Sequence, residues 1–501
     1  MTGPQFSQSF SERSMPAAPV RRSSLASLAG NTFFGVASVV FFVFGTFWNS
    51  FGGPWGPGTS ALLASLVFAL HFLLSARRAS ALDPVVWVPV AMLIFYFGLP
   101  VAIELLGHSG PRGYNAMGEG LNLPRNLARG YCLSLLTITS FIWGIHLVGL
   151  RDLSAGPARN PNRDNSLLPA GLVLTIGAMA MFSAGVAIMG PSVVFGRWVE
   201  YWEAKASGAD PRLVDMGFVF WECGIFVLIA SYDRRRKLIN AFMWCSAALL
   251  AGILVQNGNR SNLIQLAIGV GWCYSQRVRR IPPVPIATAA VVALLLVPVL
   301  KEWRDFRSVE ISTRSSPIAL AGKALYEMGS SGLIFPYTLD YIPSQKPYAL
   351  GSSFLWAALG LIPNVGLTPR TQGFQSGDTH PAEWLARTLS PNPHSVVGYG
   401  YTMGAEWYFN FGTPGVLLGS ALLGFLVTRL RNSAQTSSLK LVVSALAFAA
   451  MAGYVRNIIG YSLRFLVWPL WGLLLIRFIL SLLVRRPPAA ARLGSVPTSG
   501  I

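Results

Sequence analysis

Long apolar runs recur along almost the entire sequence and constrain the fold more than any other feature. A transmembrane helix needs about 20 mostly apolar residues, and most of these runs approach that length. The runs lie at 29–51, 59–76, 83–107, 130–150, 168–189, 214–231, 239–255, 261–276, 282–300, 410–428, 441–459 and 465–484. They predict an all-α polytopic membrane protein with about 12 transmembrane helices.

The composition supports a membrane location and argues against a nucleic-acid-binding protein. Hydrophobic residues make up 52% of the chain and charged residues 12%, where a soluble domain carries about 25% charged residues. Lys and Arg outnumber Asp and Glu by 39 to 20, but they lie in short clusters between the apolar runs. Such clusters mark the cytoplasmic side of a membrane, so the positive charge needs no nucleic acid as partner.

The same basic clusters predict the topology. They fall on one side of the bilayer only if all twelve spans are counted and both termini are cytoplasmic. Residues 1–28 and 485–501 are then polar cytoplasmic tails, 29–300 hold transmembrane helices 1–9, and 410–484 hold helices 10–12.

One connection, at 301–409, is far longer than the others and would face outward. Loops of this length between packed elements are usually functional or disordered. This one contains the apolar and aromatic segments "SPIALAGKALYEMG", "SGLIFPYTLDYIP" and "GSSFLWAALGLIP", which require burial. We therefore predict one long structured outer loop, with "GSSFLWAALGLIP" as a re-entrant or interfacial helix.

Candidate acids and bases gather in this loop. Asp378 and His380 occur in "SGDTHPAEW" and His394 in "NPHS", while Glu406 lies where the loop re-enters the membrane. Partial desolvation there suits a carboxylate to act as a general base. A helix-capping role for Glu406, a local turn for Asp378 with His380, and a hydrogen-bonded loop position for His394 are the competing structural explanations. Asp378 and His380 alone do not make a coordination set, so no metal site is predicted.

Candidate cations come from the outer connections. Arg260, in the very short "VQNGNRSNLIQL" turn, would be held at the bilayer surface, where a guanidinium can grip a phosphate with two hydrogen bonds. The competing explanation is an arginine that reaches toward the interface. The other outer-face cations are Arg370, Arg387, Arg456 and Arg464.

Span six carries an ionisable residue, Glu222 in "FVFWECGIF", near the middle of the membrane. A charge at that depth is costly, so such residues are usually paired or functional. We expect a buried structural partner for it.

Three segments resemble a known family. The short "GNRSNLIQL" turn, the "YALGSSFLWAALGLIPN" stretch and the closing "GYTMGAEWYFNFGTPGVLLG" are similar to segments of the O-antigen polymerases of the Wzy type. The resemblance extends over about 80–480. It implies a GT-C-like membrane glycosyltransferase of the bacterial inner membrane, which polymerises undecaprenyl-pyrophosphate-linked oligosaccharide repeat units at the periplasmic face. A chain-length regulator and a flippase are candidate partners.

The resemblance also suggests roles for the residues. Glu406 or His394 would activate the attacking sugar hydroxyl, and Arg260 with Arg370 or Arg387 would bind the departing pyrophosphate. The first outer connection, "SFGGPWGPG", has no acidic residue, so a metal-independent reaction without a cofactor is expected. The aromatic residues Tyr399, Tyr401, Trp407 and Tyr408 could stack on sugar rings or simply belong to the membrane interface.

Two other functions fit many of the same features. An O-antigen ligase would share the fold and chemistry but pass the glycan to lipid A core. A transporter, such as a flippase for the same lipid-linked sugars, would also have twelve spans. Transporters of that type are usually built from two similar halves, whereas only one long loop is present here.

Overall fold

Every regular element in the described part of the protein is helical. The computed structural model describes residues 25–48, 56–75, 79–107, 125–151, 167–196, 200–201, 204, 208, 210–306, 316–362, 380–389 and 400–483. Within these ranges, helices follow one another from Leu25 to Leu483. The predicted all-α class is confirmed.

The helices have the following bounds. The first eight are α1 (Leu25–Thr46), α2 (Pro57–Ser75), α3 (Pro84–Pro100), α4 (Leu127–Val148), α5 (Leu168–Met189), α6 (Arg212–Ala230), α7 (Lys237–Gln256) and α8 (Arg260–Arg277). The next eight are α9 (Pro283–Phe306), α10 (Pro317–Gly329), α11 (Ile334–Tyr341), α12 (Ser352–Leu359), α13 (Pro381–Leu389), α14 (Met403–Ser433), α15 (Ser438–Tyr454) and α16 (Ile459–Leu483). Shorter turns lie at Val101–Leu105, Pro191–Val194 and Ser330–Leu333.

Nine helices in the described residues are long and apolar enough to cross a membrane: α1 to α7, α14 and α16. The chain is therefore a multi-pass membrane protein. The predicted spans at 261–276, 282–300 and 441–459 correspond to α8, α9 and α15. The apolar part of α9 covers only Pro283–Leu296, and α15 has 17 residues. The count of 12 spans stays a prediction.

The start of α14 differs from the expected position. The apolar run begins at 410, but the helix begins at Met403 and passes a kink at Gly412, whose φ is +67°. Residues 403–409 are helical although the segment contains Glu406, because tertiary hydrogen bonds satisfy its polar groups. Hydropathy measures apolar length and cannot detect such bonds.

Helix α4 lies at the centre of the bundle and α16 at its edge. The proportion of buried residues is 83% in the α4 span and 11% in the α16 span. Helices α4 and α14 cross closely at two glycines: a Cβ at Gly144 would meet the Ala421 carbonyl oxygen, and one at Gly424 would meet the Phe141 carbonyl oxygen. Small residues allow this close approach of membrane helices.

The bundle has two ends that carry different polar groups. Helices α14 and α16 begin, and helix α15 ends, at the same end of the bundle. We call this end the site end. Helix α4 begins at the site end, and α11 lies beside its start. The Asp340 carboxylate of α11 accepts hydrogen bonds there from the backbone N–H groups of Arg125 and Asn126. The opposite end is where α3 begins and where α4 and α14 finish.

Candidate functional site

The Glu406 carboxylate lies in the first turn of α14 at the site end and is 1% exposed. Its Oε1 accepts a hydrogen bond from the Ser353 hydroxyl at 3.3 Å, and its Oε2 accepts one from the Ile459 backbone N–H at 2.9 Å. Ser353 belongs to α12 and Ile459 is the first residue of α16. The carboxylate therefore joins three helices, and both of these donors are uncharged.

Asn410, one helical turn after Glu406, completes the attachment of α12. Its Nδ2 donates to the Ser353 hydroxyl at 2.7 Å and to the Glu406 carbonyl oxygen at 2.8 Å. Its Oδ1 accepts from the Gly351 N–H at 3.1 Å, and Gly351 has a φ of +89° that favours glycine. The short α12 is thus positioned by polar contacts to the first turns of α14.

Several buried polar atoms at or near Tyr454, beside Glu406, have no hydrogen-bond partner among the described residues. The Tyr454 hydroxyl approaches the carboxyl group without meeting hydrogen-bond geometry, and Gln265 Oε1 and Ser462 Oγ are also unpartnered. The last two side chains converge on Gly453, where a Cβ would lie 2.7 Å from Gln265 Nε2 and 3.3 Å from Ser462 Oγ. Buried groups of this kind usually bind water or a ligand.

Arg260 begins α8 and is already paired. Its Nη1 lies 3.0 Å from Glu327 Oε1 on α10, and the two side chains are 16% and 18% exposed. Asn259 caps the helix by accepting from the Asn262 N–H at 3.2 Å. The guanidinium is held in one place near the surface, but an incoming anion would have to compete with Glu327.

Helix α13 carries two of the predicted residues. His380 precedes it and accepts the Glu383 N–H at Nδ1, at 3.2 Å. Burial lowers the pKa of His380, and the carboxylate of Glu383 partly offsets this. The imidazole edge packs on Tyr461 of α16, with ring centroids 5.6 Å apart. Arg387 lies 3.9 Å from Glu383 in a half-exposed ion pair, which contributes little to stability.

Arg456 and Arg464 both lie over aromatic rings at the site end. The guanidinium of Arg456 is 5.6 Å from the centre of the Phe95 ring, and that of Arg464 is 5.7 Å from the Trp468 ring. The Nε atom of Arg464 is buried without a hydrogen-bond partner.

The aromatic residues singled out from the sequence are mostly interior. Tyr401 is fully buried, and its hydroxyl lies 2.9 Å from the Thr338 hydroxyl. Tyr408 is 1% exposed and donates to the Ile342 carbonyl oxygen at 3.4 Å. Trp407 packs on Phe354, with ring centroids 4.5 Å apart. These rings stack on protein groups, and the first two do not reach the surface.

Four other candidates, Arg370, Asp378, His394 and Tyr399, lie outside the described residues. The structure therefore brings Glu406 together with polar residues that sequence reasoning had not selected, namely Ser353, Asn410 and Tyr454, and places Gln265 beside Gly453, the neighbour of Tyr454. Only Asn410 had a usable signal, because it follows Glu406 at the i+4 spacing that places two side chains on one helix face.

The structural partner expected for Glu222 is not found for its Oε1 among the described residues, so that expectation stays a prediction. The residue is buried in α6, and its Oε1 has no hydrogen-bond partner. The neighbouring residues do find partners, since Trp221 Nε1 donates to Ser246 Oγ at 2.6 Å and Cys223 Sγ contacts the Pro469 carbonyl oxygen at 3.8 Å.

One family model matches the chain. It is described as O-antigen polysaccharide polymerase Wzy and covers residues 214–486, more than half of the sequence. The matched range includes Arg260, Glu406 and every helix from α7 to α16. No curated protein and no solved structure matches the chain.

Proposed function

The chain belongs to the Wzy family of O-antigen polysaccharide polymerases, and we propose that it extends a glycan carried on undecaprenyl pyrophosphate at the periplasmic face of the bacterial inner membrane. In this proposal the chain crosses the membrane twelve times, with both termini in the cytoplasm. A periplasmic reaction agrees with the topology predicted from the basic clusters, which places the start of α14 on the outer side.

The proposed reaction transfers the growing chain to one new repeat unit. A hydroxyl at the non-reducing end of the lipid-linked unit attacks the first sugar carbon of the growing chain, which forms a new glycosidic bond. The bond from that carbon to the pyrophosphate oxygen breaks, and the hydroxyl proton passes to a base. Pyrophosphate is a good leaving group, so the protein needs a base and cations but no separate acid.

The observation that carries this proposal is the buried Glu406 carboxylate held by two uncharged donors. Because neither Ser353 nor Ile459 is a cation, the described partners place no positive charge on the carboxylate that would weaken it as a base. The hydrogen bond from the Ser353 hydroxyl to Glu406 Oε1 is long, at 3.3 Å. In this proposal α12 moves aside, and the attacking sugar hydroxyl takes the place of Ser353 at Oε1. His394, outside the described residues, is the second candidate base.

Arg260 is the proposed cation for the departing pyrophosphate, with Arg370 or Arg387 as the second. Its guanidinium is oriented by Glu327 in the same way that a diphosphate oxygen would orient it. Ligand binding would therefore exchange one anion for another at the guanidinium and release the Glu327 carboxylate from this ion pair. Two arginines could take the place of a metal ion here, since the first outer connection has no acidic residue.

The experiment that tests this function is deletion of the gene in its host, followed by size separation of the surface glycan. We expect one attached repeat unit in place of a ladder. Loss of all attached glycan with accumulation of long lipid-linked polymer would instead identify a ligase. Repeat units retained on the cytoplasmic side would identify a transporter. Complementation with the intact gene must restore the ladder.

A further inference from the structure

Arg464 lies in a seam between α12 and α16 at the site end. It is in the second turn of α16, and its guanidinium packs against Trp468. A Cβ at Gly360, directly after α12, would lie 3.1 Å from Arg464 Nη2. Trp468 Nε1 donates to the Leu361 carbonyl oxygen at 3.0 Å, so one tryptophan both flanks the cation and ties the two helices together.

The charge of Arg464 has no ion-pair partner within the described residues. Its Nε is buried and makes no hydrogen bond. Arg260, by contrast, is paired with Glu327, and Arg387 with Glu383. A partly desolvated guanidinium without an anion is costly, and its planar fork matches the oxygens of a phosphate. The seam therefore has the charge and geometry to bind an anionic group.

An apolar stripe continues from Arg464 along the membrane-facing side of α16. Its members repeat at the i, i+4, i+7 spacing of one helix face. The members that follow Trp468 along the chain are all at least 46% exposed, and they are Trp471, Leu475, Phe478 and Leu482. From 464 to 482 the helix rises about 27 Å, close to the thickness of the hydrocarbon core. On the other side of the seam, the exposed side chains of α12 and its end are Leu355, Leu359 and Ile362.

We propose that this seam binds the prenyl pyrophosphate part of the lipid-linked glycan. The diphosphate accepts hydrogen bonds from Arg464, at a position additional to the Arg260 cation proposed for the departing pyrophosphate, and the isoprenoid chain lies along the stripe of α16. This inference rests on the proposed function for the identity of the ligand. The charge and the stripe favour a lipid diphosphate over free pyrophosphate, because only the former uses both features.

Binding of farnesyl pyrophosphate to the full chain in phosphatidylcholine nanodiscs tests the inference. Arg464→Gln should weaken binding about 10- to 100-fold, the value of a lost charge-assisted hydrogen-bond pair. Arg464→Lys should weaken binding less, because lysine keeps the positive charge but lacks the planar, two-pronged guanidinium group. Arg477→Gln is the matched control on the same helix, 13 positions nearer the opposite end, and should bind like the unmodified protein. An unchanged affinity in Arg464→Gln would overturn the inference.

Three further ligands separate the two parts of the seam. Farnesol and inorganic pyrophosphate should each bind at least 10-fold more weakly than farnesyl pyrophosphate. The double variant Trp471→Ser with Leu475→Ser should weaken farnesyl pyrophosphate but not inorganic pyrophosphate. Phosphatidylglycerol in the nanodisc should not compete at equal concentration; equal competition would mean a general phospholipid site and would contradict the proposal.

The readout distinguishes this inference from the proposed function. The unmodified protein could polymerise lipid-linked units while the Arg464→Gln variant binds farnesyl pyrophosphate normally. In that case the proposed binding site in the seam is wrong and the proposed function stands. If the protein binds the probe through Arg464 but the deletion strain keeps its ladder, the seam stands and the function is wrong. Equal thermal unfolding midpoints of the variants show that folding is intact.

Discussion

The two ends of the bundle each bury an acidic residue, but the partners of the two carboxylates differ in charge. At the opposite end, Asp83 forms an ion pair with Arg431 at 2.7 Å, with side chains 2% and 0% exposed. At the site end, the hydrogen bonds that Glu406 accepts from other described residues come from a hydroxyl and a backbone N–H. A fixed counter-charge favours a stable structure, whereas uncharged donors leave a carboxylate able to accept a proton.

The network at the opposite end is complete. Arg431 Nη1 donates to the Arg151 carbonyl oxygen at 2.7 Å and to Asn432 Oδ1 at 2.9 Å, and Asn432 Nδ2 donates to the Gly149 carbonyl oxygen at 3.0 Å. None of these side chains has an unpartnered buried atom. The network connects the start of α3, the end of α14 and the residues that follow α4, so its role is to hold helices together.

Two histidines extend the same completed network. The Nδ1 of His71 lies 3.1 Å from Nε2 of His146, and the other ring nitrogen of His71 lies 2.7 Å from the Val85 carbonyl oxygen. Phe34 stacks on His146 with centroids 5.0 Å apart. Among the described residues, Gln265, Tyr454 and Ser462 at the site end each keep an unpartnered atom, whereas at the opposite end Trp87 Nε1 is unpartnered outside this network. Complete networks indicate structure, and incomplete ones indicate a place for a ligand.

The largest effect is expected where the completed network is broken. Asp83→Ala removes the carboxylate that pairs with the fully buried Arg431 guanidinium, which should cost about 3–5 kcal/mol and remove most folded protein from the membrane. Membrane yield and the thermal unfolding midpoint are the measurements. Replacing both partners, as Asp83→Leu with Arg431→Met, should recover part of the yield, because no charge remains buried. Normal yield in the single variant would show that the pair is not structural.

The next effect is expected at Glu406. Glu406→Gln keeps the shape of the side chain and removes the base, so polymerisation should fall about 10²- to 10⁴-fold while membrane yield stays near normal. The glycan ladder on size separation reports the first quantity and immunoblotting the second. A ladder of normal length would move the role of base to His394, and His394→Gln is the matched variant for that case.

Arg260→Ala should abolish most polymer formation without loss of protein. Its ion pair with Glu327 keeps side-chain exposures of 16% and 18%, so its loss should cost less stability than loss of the fully buried Asp83 pair, whereas loss of a charge-stabilising group costs about 10²- to 10³-fold in rate. Arg260→Lys should remain poor, because lysine lacks the bidentate fork. Full-length glycan in Arg260→Ala would remove this residue from the mechanism.

The smallest effect is expected from a methyl group next to the unpartnered atoms. Gly453→Ala would place its Cβ 2.7 Å from Gln265 Nε2, a flexible side-chain end that can shift. Polymerisation should fall several-fold because the methyl group displaces Gln265, and yield should stay near normal because that side-chain end can shift. Gly460→Ala is the matched control at the same end, because its Cβ would meet Ala357 at an ordinary 3.4 Å. Equal rates in the two variants would mean that this space has no function.

Part of the site could be predicted from the sequence. Glu406 was selected because it precedes an apolar run, and Arg260 because its turn is short; both do lie at the ends of helices. The partners of Glu406 could not be predicted. Ser353 and Ile459 are each 53 positions away in opposite directions, and no local pattern connects them. For Tyr401 and Tyr408 the sequence left both sugar stacking and a membrane-interface position open, because composition gives residue type but not the direction of a side chain.

The sequence by itself determined that the chain is a helical membrane protein of the Wzy family, and where most of its spans lie. Apolar length along the chain is a local property, so hydropathy reads it directly. Tertiary structure alone decided which buried charges are paired, as in Asp83 with Arg431, 348 positions apart, and which polar atoms stay open. In a membrane a polar side chain must find its partner on another helix, and only the packed bundle fixes that choice.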